Sequence, residues 1–144
     1  MAGPVLIIED EPDIAEVLSY SLEKAGFKTR AVFTGEEGLN ASLDPTNPPS
    51  LILLDLLLPG MTGIEICRRL RTEPATLDTP IVIITAKALP ADITTSLELG
   101  VNEFIVKPFS VREVVGQVRS LLLNSESSDY ECVSVCPSGD GPSV

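Results

Sequence analysis

Residues 5–10 read VLIIED, so that four apolar residues run directly into two acids, Glu9 and Asp10. Similar runs, rich in Val, Ile and Leu, recur at residues 51–54, 81–84 and 104–106, with longer stretches of helical period between them. Uninterrupted apolar strands that alternate with helices are typical of a parallel sheet with both faces covered. The sequence therefore predicts an α/β fold, in which a doubly wound, five-stranded parallel sheet forms the middle layer of a three-layer α/β/α sandwich.

Local signals give approximate bounds for the elements. A helix is expected after each strand; the first begins near Pro12, a favoured first helical residue. Thr34 with Glu37, and Ser110 with Glu113, form capping-box pairs that predict the start of the second and the last helix. The expected strands cover residues 5–8, 27–33, 51–54, 81–84 and 103–106.

Polar side chains stand where these strands end. Glu9 and Asp10 close the first strand, Asp55 the third, Thr85 the fourth and Lys107 the fifth. The carboxyl ends of parallel strands meet at one edge of a sheet, and ligands bind there. We expect carboxylates, an ammonium group and a hydroxyl to share one pocket, which is the chemistry of a divalent cation beside a phosphoryl group.

Composition limits the function further. The chain of 144 residues suits one domain, and its net charge of −11 argues against direct contact with nucleic acid. We find neither an apolar run of about 20 residues nor a secretion signal, and so expect a protein of the cytoplasm that does not contact membranes. Histidine is absent, so the chain cannot carry phosphohistidine itself.

The last residues differ from the rest. Periodicity is lost after Leu123, and residues 124–144 contain four acids but neither Lys nor Arg. We therefore predict a domain over residues 1–123 and a disordered, acidic, Ser-rich tail or linker stub over residues 124–144. The three cysteines, Cys67, Cys132 and Cys136, are predicted to be free thiols.

Four of these segments together resemble the signatures of the receiver domain of bacterial response regulators. They are VLIIEDEP at 5–12, LLDLLLPGMTG at 53–63, IITAK at 83–87 and VKPF at 106–109, and the resemblance extends from Pro4 to Leu123. The last segment looks most similar to receivers of winged-helix transcription-factor regulators. The resemblance implies a flavodoxin-like sheet with strand order 2-1-3-4-5.

It also implies roles for the residues at the strand ends. Asp55 would be the phosphoacceptor, with Asp10 and Asp55 as direct ligands of Mg2+, or of Mn2+ as an alternative. Glu9 would act on the ion directly or through water, and the backbone carbonyl of Leu57 would be a further ligand. Glu11 and Asp13 are interpreted as solvated acids.

The remaining family positions concern switching. By resemblance, Lys107 would pair with Asp55 and a phosphoryl oxygen, and the Lys107-Pro108 peptide bond would be cis. Thr85 would hydrogen-bond the phosphoryl group, and Phe104 would be the switch aromatic that fills the volume Thr85 vacates. Leu57 and Lys87 would overhang the pocket, and an apolar Leu57 leads us to hypothesise slow autodephosphorylation.

The implied function is a phosphorylation switch, not an enzyme that turns over substrates. A histidine kinase or histidine phosphotransfer protein would supply the phosphoryl group. Phosphorylation would change the surface of the fourth helix, fifth strand and fifth helix for an output partner or a homodimer. Ile93, Asn102 and Gln117 stand where related dimers carry a basic residue, an Asp and an Arg, so those ion pairs could not all form.

Two alternatives stay open. A phosphatase of the haloacid-dehalogenase type also uses an Asp at a strand end, but it needs a second Asp two residues later, where this chain has Leu57. A scaffold receiver that is never phosphorylated would not need the intact set of acids. The output domain is either missing from this sequence or replaced by a separate partner protein.

Overall fold

The computed structural model describes residues 3–87 and 89–126. Strands and helices alternate strictly along this part of the chain, as the apolar runs predicted. The strands are β1 (Val5–Ile8), β2 (Thr29–Val32), β3 (Leu51–Leu54), β4 (Ile81–Thr85) and β5 (Glu103–Val106). The helices are α1 (Pro12–Lys24), α2 (Gly35–Ser42), α3 (Gly63–Leu70), α4 (Pro90–Glu98) and α5 (Val111–Glu126).

The five strands form one parallel sheet in the order β2-β1-β3-β4-β5. This confirms the flavodoxin-like, doubly wound sheet. Ile8, the last residue of β1, is in register with Leu54, the last residue of β3, and Thr85 at the end of β4 is in register with Val106 at the end of β5. The residues that follow these strands therefore meet at the same edge of the sheet.

The sheet separates two apolar layers. Leu6 and Ile8 of β1 pack with the layer that contains Ile66 and Leu70 of α3. The intervening strand residue Ile7 packs on the opposite side, against residues of α1 and α5. All four residues of β1 are buried because helices cover both faces, which explains why the strand reads as an uninterrupted apolar run.

The second strand is shorter than predicted, because the N–H groups of the two phenylalanines that flank it are hydrogen-bonded to residues of the neighbouring helices α1 and α2. The Phe27 N–H donates to the carbonyl of Leu22 (3.0 Å), after Gly26 turns the chain at a φ of 103°. At the other end the Phe33 N–H donates to Glu37 Oε1 (3.1 Å). Neither phenylalanine is therefore part of the strand.

Both predicted caps are present at the helix starts. Thr34 Oγ1 accepts the N–H of Glu37 (3.1 Å), and Ser110 Oγ accepts the N–H of Glu113 (3.4 Å). The last helix extends to Glu126, beyond the boundary at Leu123, because an existing helix gains a hydrogen bond with each added residue, even a polar one. The rest of the predicted tail, residues 127–144, lies outside the described residues, together with Cys132 and Cys136.

Within the described residues, no helix is both long and apolar enough to cross a bilayer. Cys67 is a buried free thiol on α3, as predicted. Burial raises the pKa of this thiol, which keeps it protonated and unreactive.

Candidate functional site

An acidic cluster lies at the carboxyl edge of the sheet. Glu9 and Asp10 directly follow β1, and Asp55 directly follows the neighbouring strand β3. Each residue has a carboxylate oxygen within 4.8 Å of one from each of the other two. Glu9 and Asp55 are buried, whereas Asp10 is exposed. Such a set of oxygen atoms suits a hard cation such as Mg2+, which prefers oxygen ligands.

Lys107 extends into this cluster from the end of β5. Its Nζ lies 2.9 Å from Asp55 Oδ2 and 2.9 Å from Glu9 Oε1, and its side chain is only 12% exposed. The backbone of Lys107 is held in place, because its N–H donates to the carbonyl of Thr85 (2.7 Å). The Lys107-Pro108 peptide bond is cis, as predicted. An ammonium group two strands away from Asp55 is thus a direct partner of its carboxylate.

Backbone groups orient the two buried carboxylates. The N–H of Leu57 donates to Asp55 Oδ1 (2.9 Å), so both oxygens of Asp55 are bound. The N–H of Glu11 donates to Glu9 Oε2 (3.2 Å). Leu57 is 52% exposed. Asp55 is therefore held in one orientation.

The surroundings of Glu9 disfavour its ionised form. Burial, reinforced by the neighbouring charge of Asp55, raises the pKa of Glu9 from 4.5 to about 7, although the hydrogen bond from Lys107 opposes that rise. Burial also disfavours the charged form of Lys107, but hydrogen bonds to Asp55 and Glu9 outweigh it and raise the pKa of its ammonium group. One lysine charge thus faces more than one carboxylate.

The two predicted switch residues lie on adjacent strands. Thr85 is fully buried at the end of β4, and its Oγ1 accepts the N–H of Lys87 (3.3 Å). Phe104 of β5 is half-buried, in register with Ile83, and packs against the layer that contains α3. The hydroxyl of Thr85 is therefore occupied by the backbone that follows β4.

Glu11 was interpreted as a solvated acid, and this is incomplete. Its side chain is 61% exposed, yet its Oε1 lies 3.6 Å from Lys107 Nζ. Glu11 is also the N-cap residue of α1, but its side chain makes no capping hydrogen bond. Nothing in the spacing of the sequence indicates this contact, because it depends on the position of a lysine that lies 96 residues later in the sequence, at position 107.

Asn102, which was predicted to prevent one ion pair of a family-type dimer, has a structural partner within the domain. Its Oδ1 accepts the N–H of Ile81 (3.0 Å), and its own N–H donates to the Ile81 carbonyl (2.8 Å). These bonds tie the start of β4 to the residue before β5. The hydrogen bonds of Asn102 stay within the domain.

Known proteins are similar along most of the chain. The family model described as "Response regulator receiver domain" matches residues 5–119. The chain is 38% identical over 135 residues to the DNA-binding response regulator MtrA of Mycolicibacterium smegmatis, which covers 94% of this chain and 57% of MtrA. It is 39% identical over 125 residues to the response regulator ArlR of Staphylococcus haemolyticus, with 87% of this chain and 55% of ArlR covered. The chain thus spans little more than half the length of these curated relatives.

Solved structures agree. A signal receiver domain of a histidine kinase from Syntrophus aciditrophicus has a TM-score of 0.75 at 35% identity, with 94% of this chain and 100% of that chain covered. A CheY-like receiver domain protein from Methanospirillum hungatei has a TM-score of 0.80, with 89% and 99% covered; at 24% identity it supports the fold alone. With the family model matched over residues 5–119, this chain belongs to the response regulator receiver domain family.

Proposed function

We propose that Asp55 accepts a phosphoryl group and that this modification switches the surface of the domain. The observation that carries the proposal is the pairing of Asp55 with Lys107 at 2.9 Å within a cluster of three carboxylates, of which Asp55 is one. Phosphoryl transfer requires mainly positioning and neutralisation of charge. Asp55, bound at both oxygens, is positioned, and Lys107 supplies one positive charge.

Asp10 and Asp55 would hold Mg2+ directly, with Glu9 acting directly or through water and the carbonyl of Leu57 as a further ligand; Mn2+ could replace Mg2+. The fit rests on carboxylate oxygens that lie within 4.8 Å of one another. It also rests on the raised pKa of Glu9, because a cation would favour its ionised form. Bound Mg2+ would supply positive charge opposite the phosphoryl oxygens.

An oxygen of Asp55 attacks phosphorus in line, and the bond between phosphorus and the donor atom breaks as the acyl phosphate forms. The ammonium group of Lys107 then shifts from the Asp55 carboxylate to a phosphoryl oxygen and keeps its ion pair with Glu9. The Thr85 hydroxyl donates to the Lys87 carbonyl (3.5 Å) and accepts the Lys87 N–H (3.3 Å); it leaves this backbone contact and donates to the phosphoryl group instead. Phe104 turns into the volume that Thr85 leaves, and the surface of α4, β5 and α5 changes.

The phosphoryl donor is not one of these 144 residues if it is a phosphohistidine, because they include no histidine. We propose a histidine kinase or a histidine phosphotransfer protein. The output is a partner protein, a homodimer or a further domain. We place the reaction in the cytoplasm. MtrA is described as DNA-binding, but with a net charge of −11 we propose no direct nucleic-acid contact for this part of a regulator.

The alternatives are less well supported. A phosphatase of the haloacid-dehalogenase type needs an acid two residues after the nucleophile, and that position holds Leu57, whose N–H orients Asp55. A scaffold that is never phosphorylated would have no use for a buried Lys107 paired with two carboxylates. Beyond its own phosphorylation and dephosphorylation, we propose no enzymatic activity.

Incubation with acetyl phosphate and Mg2+, followed by intact-mass measurement, tests the proposal. We expect one added phosphoryl group in the wild type and in Asp13→Asn, a control that removes an exposed acid three residues after Asp10. We expect none in Asp55→Asn or with EDTA. Addition that persists in Asp55→Asn would refute the assignment, and sustained hydrolysis of phosphate esters would favour the phosphatase.

A further inference from the structure

Arg71 lies at the opposite edge of the sheet from Asp55 and bridges two segments of the chain. It follows α3 and is half-buried. Its guanidinium nitrogens donate to carbonyl oxygens in two groups. One group belongs to the loop between α3 and β4 and shares the two N–H groups of Nη1: Thr76 (2.9 Å), Leu77 (3.0 Å) and Thr79 (3.0 Å). The other directly follows α4: Leu99 (2.8 Å) and Gly100 (3.1 Å). We refer to Arg71 and these five carbonyls as the Arg71 clamp.

The loop side of the clamp is firmly anchored. Thr76 is buried, and its hydroxyl donates to the carbonyl of Leu70 at the end of α3 (2.6 Å). The N–H of Thr79 donates to the carbonyl of Thr76 (3.1 Å). Because a planar guanidinium holds its donors in a fixed fork, the position of the loop also fixes the position of the two carbonyls that directly follow α4.

The carboxyl end of α4 is closed as well. The N–H of Gly100 donates to the Leu97 carbonyl (3.0 Å), and the N–H of Val101 donates to the Ser96 carbonyl (3.2 Å). Gly100 has a φ of 78°, the left-handed conformation that commonly ends a helix. A cation at this end is also favourable for the helix dipole.

The rest of α4 is weakly anchored. Of its nine residues, all of which are described, only Ser96 is buried, and the Ser96 hydroxyl has no hydrogen-bond partner among the described residues. At the amino end, the N-cap residue Leu89 provides no side-chain hydrogen bond. The interior residues Ile93, Thr94 and Thr95 are β-branched and therefore poor helix formers.

We propose that the Arg71 clamp is a fixed pivot for α4, so that phosphorylation moves the amino end of this helix while its carboxyl end stays in place. The inference rests on the proposed function, because the trigger is the breaking of the hydrogen bonds between the Thr85 hydroxyl and the backbone of Lys87. Lys87 lies three residues before Pro90, the first residue of α4. The clamp lies at the other end of α4, which is about 13 Å long because its nine residues rise about 1.5 Å each. Arg71 is thus a positioning residue, distant from the chemistry.

Amide hydrogen exchange of the unphosphorylated protein tests the clamp independently of phosphorylation. In the wild type we expect the N–H groups of Leu99, Gly100 and Val101 to exchange more slowly than that of Ile93. Arg71→Met should accelerate exchange at residues 99–101 by about 10- to 100-fold, the effect of losing charge-assisted hydrogen bonds. Exchange in β1 and β3 should not change. Arg68→Met, which removes an exposed arginine from α3, the helix that Arg71 follows, should have no effect.

Two further variants address the mechanism. Arg71→Lys keeps the charge but loses the fork, and we expect it to behave like Arg71→Met. If Arg71→Lys retains wild-type protection, the positive charge near the carboxyl end of α4, and not the hydrogen bonds to the five carbonyls, holds the helix. The proposal of the Arg71 clamp would then be wrong. Ser96→Ala removes the unpartnered hydroxyl and should slow exchange throughout α4. Unchanged or faster exchange in Ser96→Ala would overturn the view that α4 is poorly anchored.

Exchange after phosphorylation with acetyl phosphate and Mg2+ tests the pivot. We expect changed exchange at residues 93–95 and unchanged exchange at residues 99–101. Equal changes at both ends would refute the pivot even if Asp55 is phosphorylated. If mass measurement detects no phosphoryl group, the proposed function fails, and the results for the unphosphorylated variants still decide whether the clamp exists.

Discussion

Glu9 should make the metal-free protein less stable as the pH rises. Its pKa is about 7 in the folded protein and 4.5 in the unfolded chain, so between these values the folded state holds more protons. Stability therefore falls from pH 4.5 to about 7 and levels off above that pH. The higher pKa of Glu9 in the folded protein lowers the free energy of unfolding by about 3 kcal/mol at most over this range, because a pKa difference of one corresponds to about 1.4 kcal/mol.

The perturbation that reveals this effect is Glu9→Gln, which keeps a hydrogen-bond acceptor near Lys107 but cannot ionise. Urea unfolding in EDTA, followed by circular dichroism at pH 5 and pH 7.5, measures the free energy of unfolding of both proteins. Relative to the wild type, Glu9→Gln should gain stability between these two pH values, by about 2 to 3 kcal/mol. Lys107, whose pKa is raised above 10.5, stays charged throughout this range and contributes no slope.

Glu11→Gln is the matched control, because Glu11 also approaches Lys107 but is 61% exposed. It should keep the pH dependence of the wild type. Glu103, whose pKa is also raised by burial and by the charge of Glu113, is present in all three proteins and cancels in the comparison. A stability difference between wild type and Glu9→Gln that does not vary with pH would refute the reasoning.

Four other perturbations test the site. Lys107→Met leaves two buried carboxylates without their cation, so the free energy of unfolding in EDTA should fall by about 3 kcal/mol, and Mg2+ should restore part of it; an unchanged urea midpoint would contradict this. Mg2+ titrated at pH 6 in weak buffer should release close to one proton per ion from Glu9, measured with a pH indicator, and Glu9→Gln should release none. Leu57→Asn should accelerate loss of the phosphoryl group, followed by mass spectrometry, because the exposed apolar side chain no longer hinders water; an unchanged rate would disprove the hypothesis of slow autodephosphorylation. Gly63→Ala would bring its Cβ to 2.6 Å from the Asp55 carbonyl oxygen and should destabilise the domain by about 1 to 3 kcal/mol in urea unfolding, whereas Gly116→Ala has open space and should not.

Much of the fold was predictable, because its causes are local in the sequence. Buried parallel strands need uninterrupted apolar runs, and the runs at residues 5–8 and 51–54 give the bounds of β1 and β3 directly. The edge strand β2 was predicted too long, since its ends depend on which carbonyl the N–H of Phe27 reaches and which carboxylate the N–H of Phe33 reaches. Those partners lie in neighbouring helices, so the sequence of the strand itself does not indicate them.

The same distinction applies to the site. The carboxylates and Lys107 follow apolar runs, so the rule that parallel strand ends meet was enough to group them. The contact of Glu11 with Lys107 and the partners of Arg71 were not predictable, because they depend on side-chain reach across the fold. Backbone carbonyls are acceptors at every residue, and a sequence does not indicate which of them an arginine will bind.

The division of the interior into two apolar layers bears on how such a domain diversifies. The cluster that contains α3 and Phe104 and the cluster that contains α1 and α5 share no side chain among the described residues. Substitutions more than about 7 to 10 Å apart without shared partners usually combine additively. Substitutions in one layer should therefore combine additively with substitutions in the other, so that either layer can be exchanged for a homologue's counterpart while the other is left untouched.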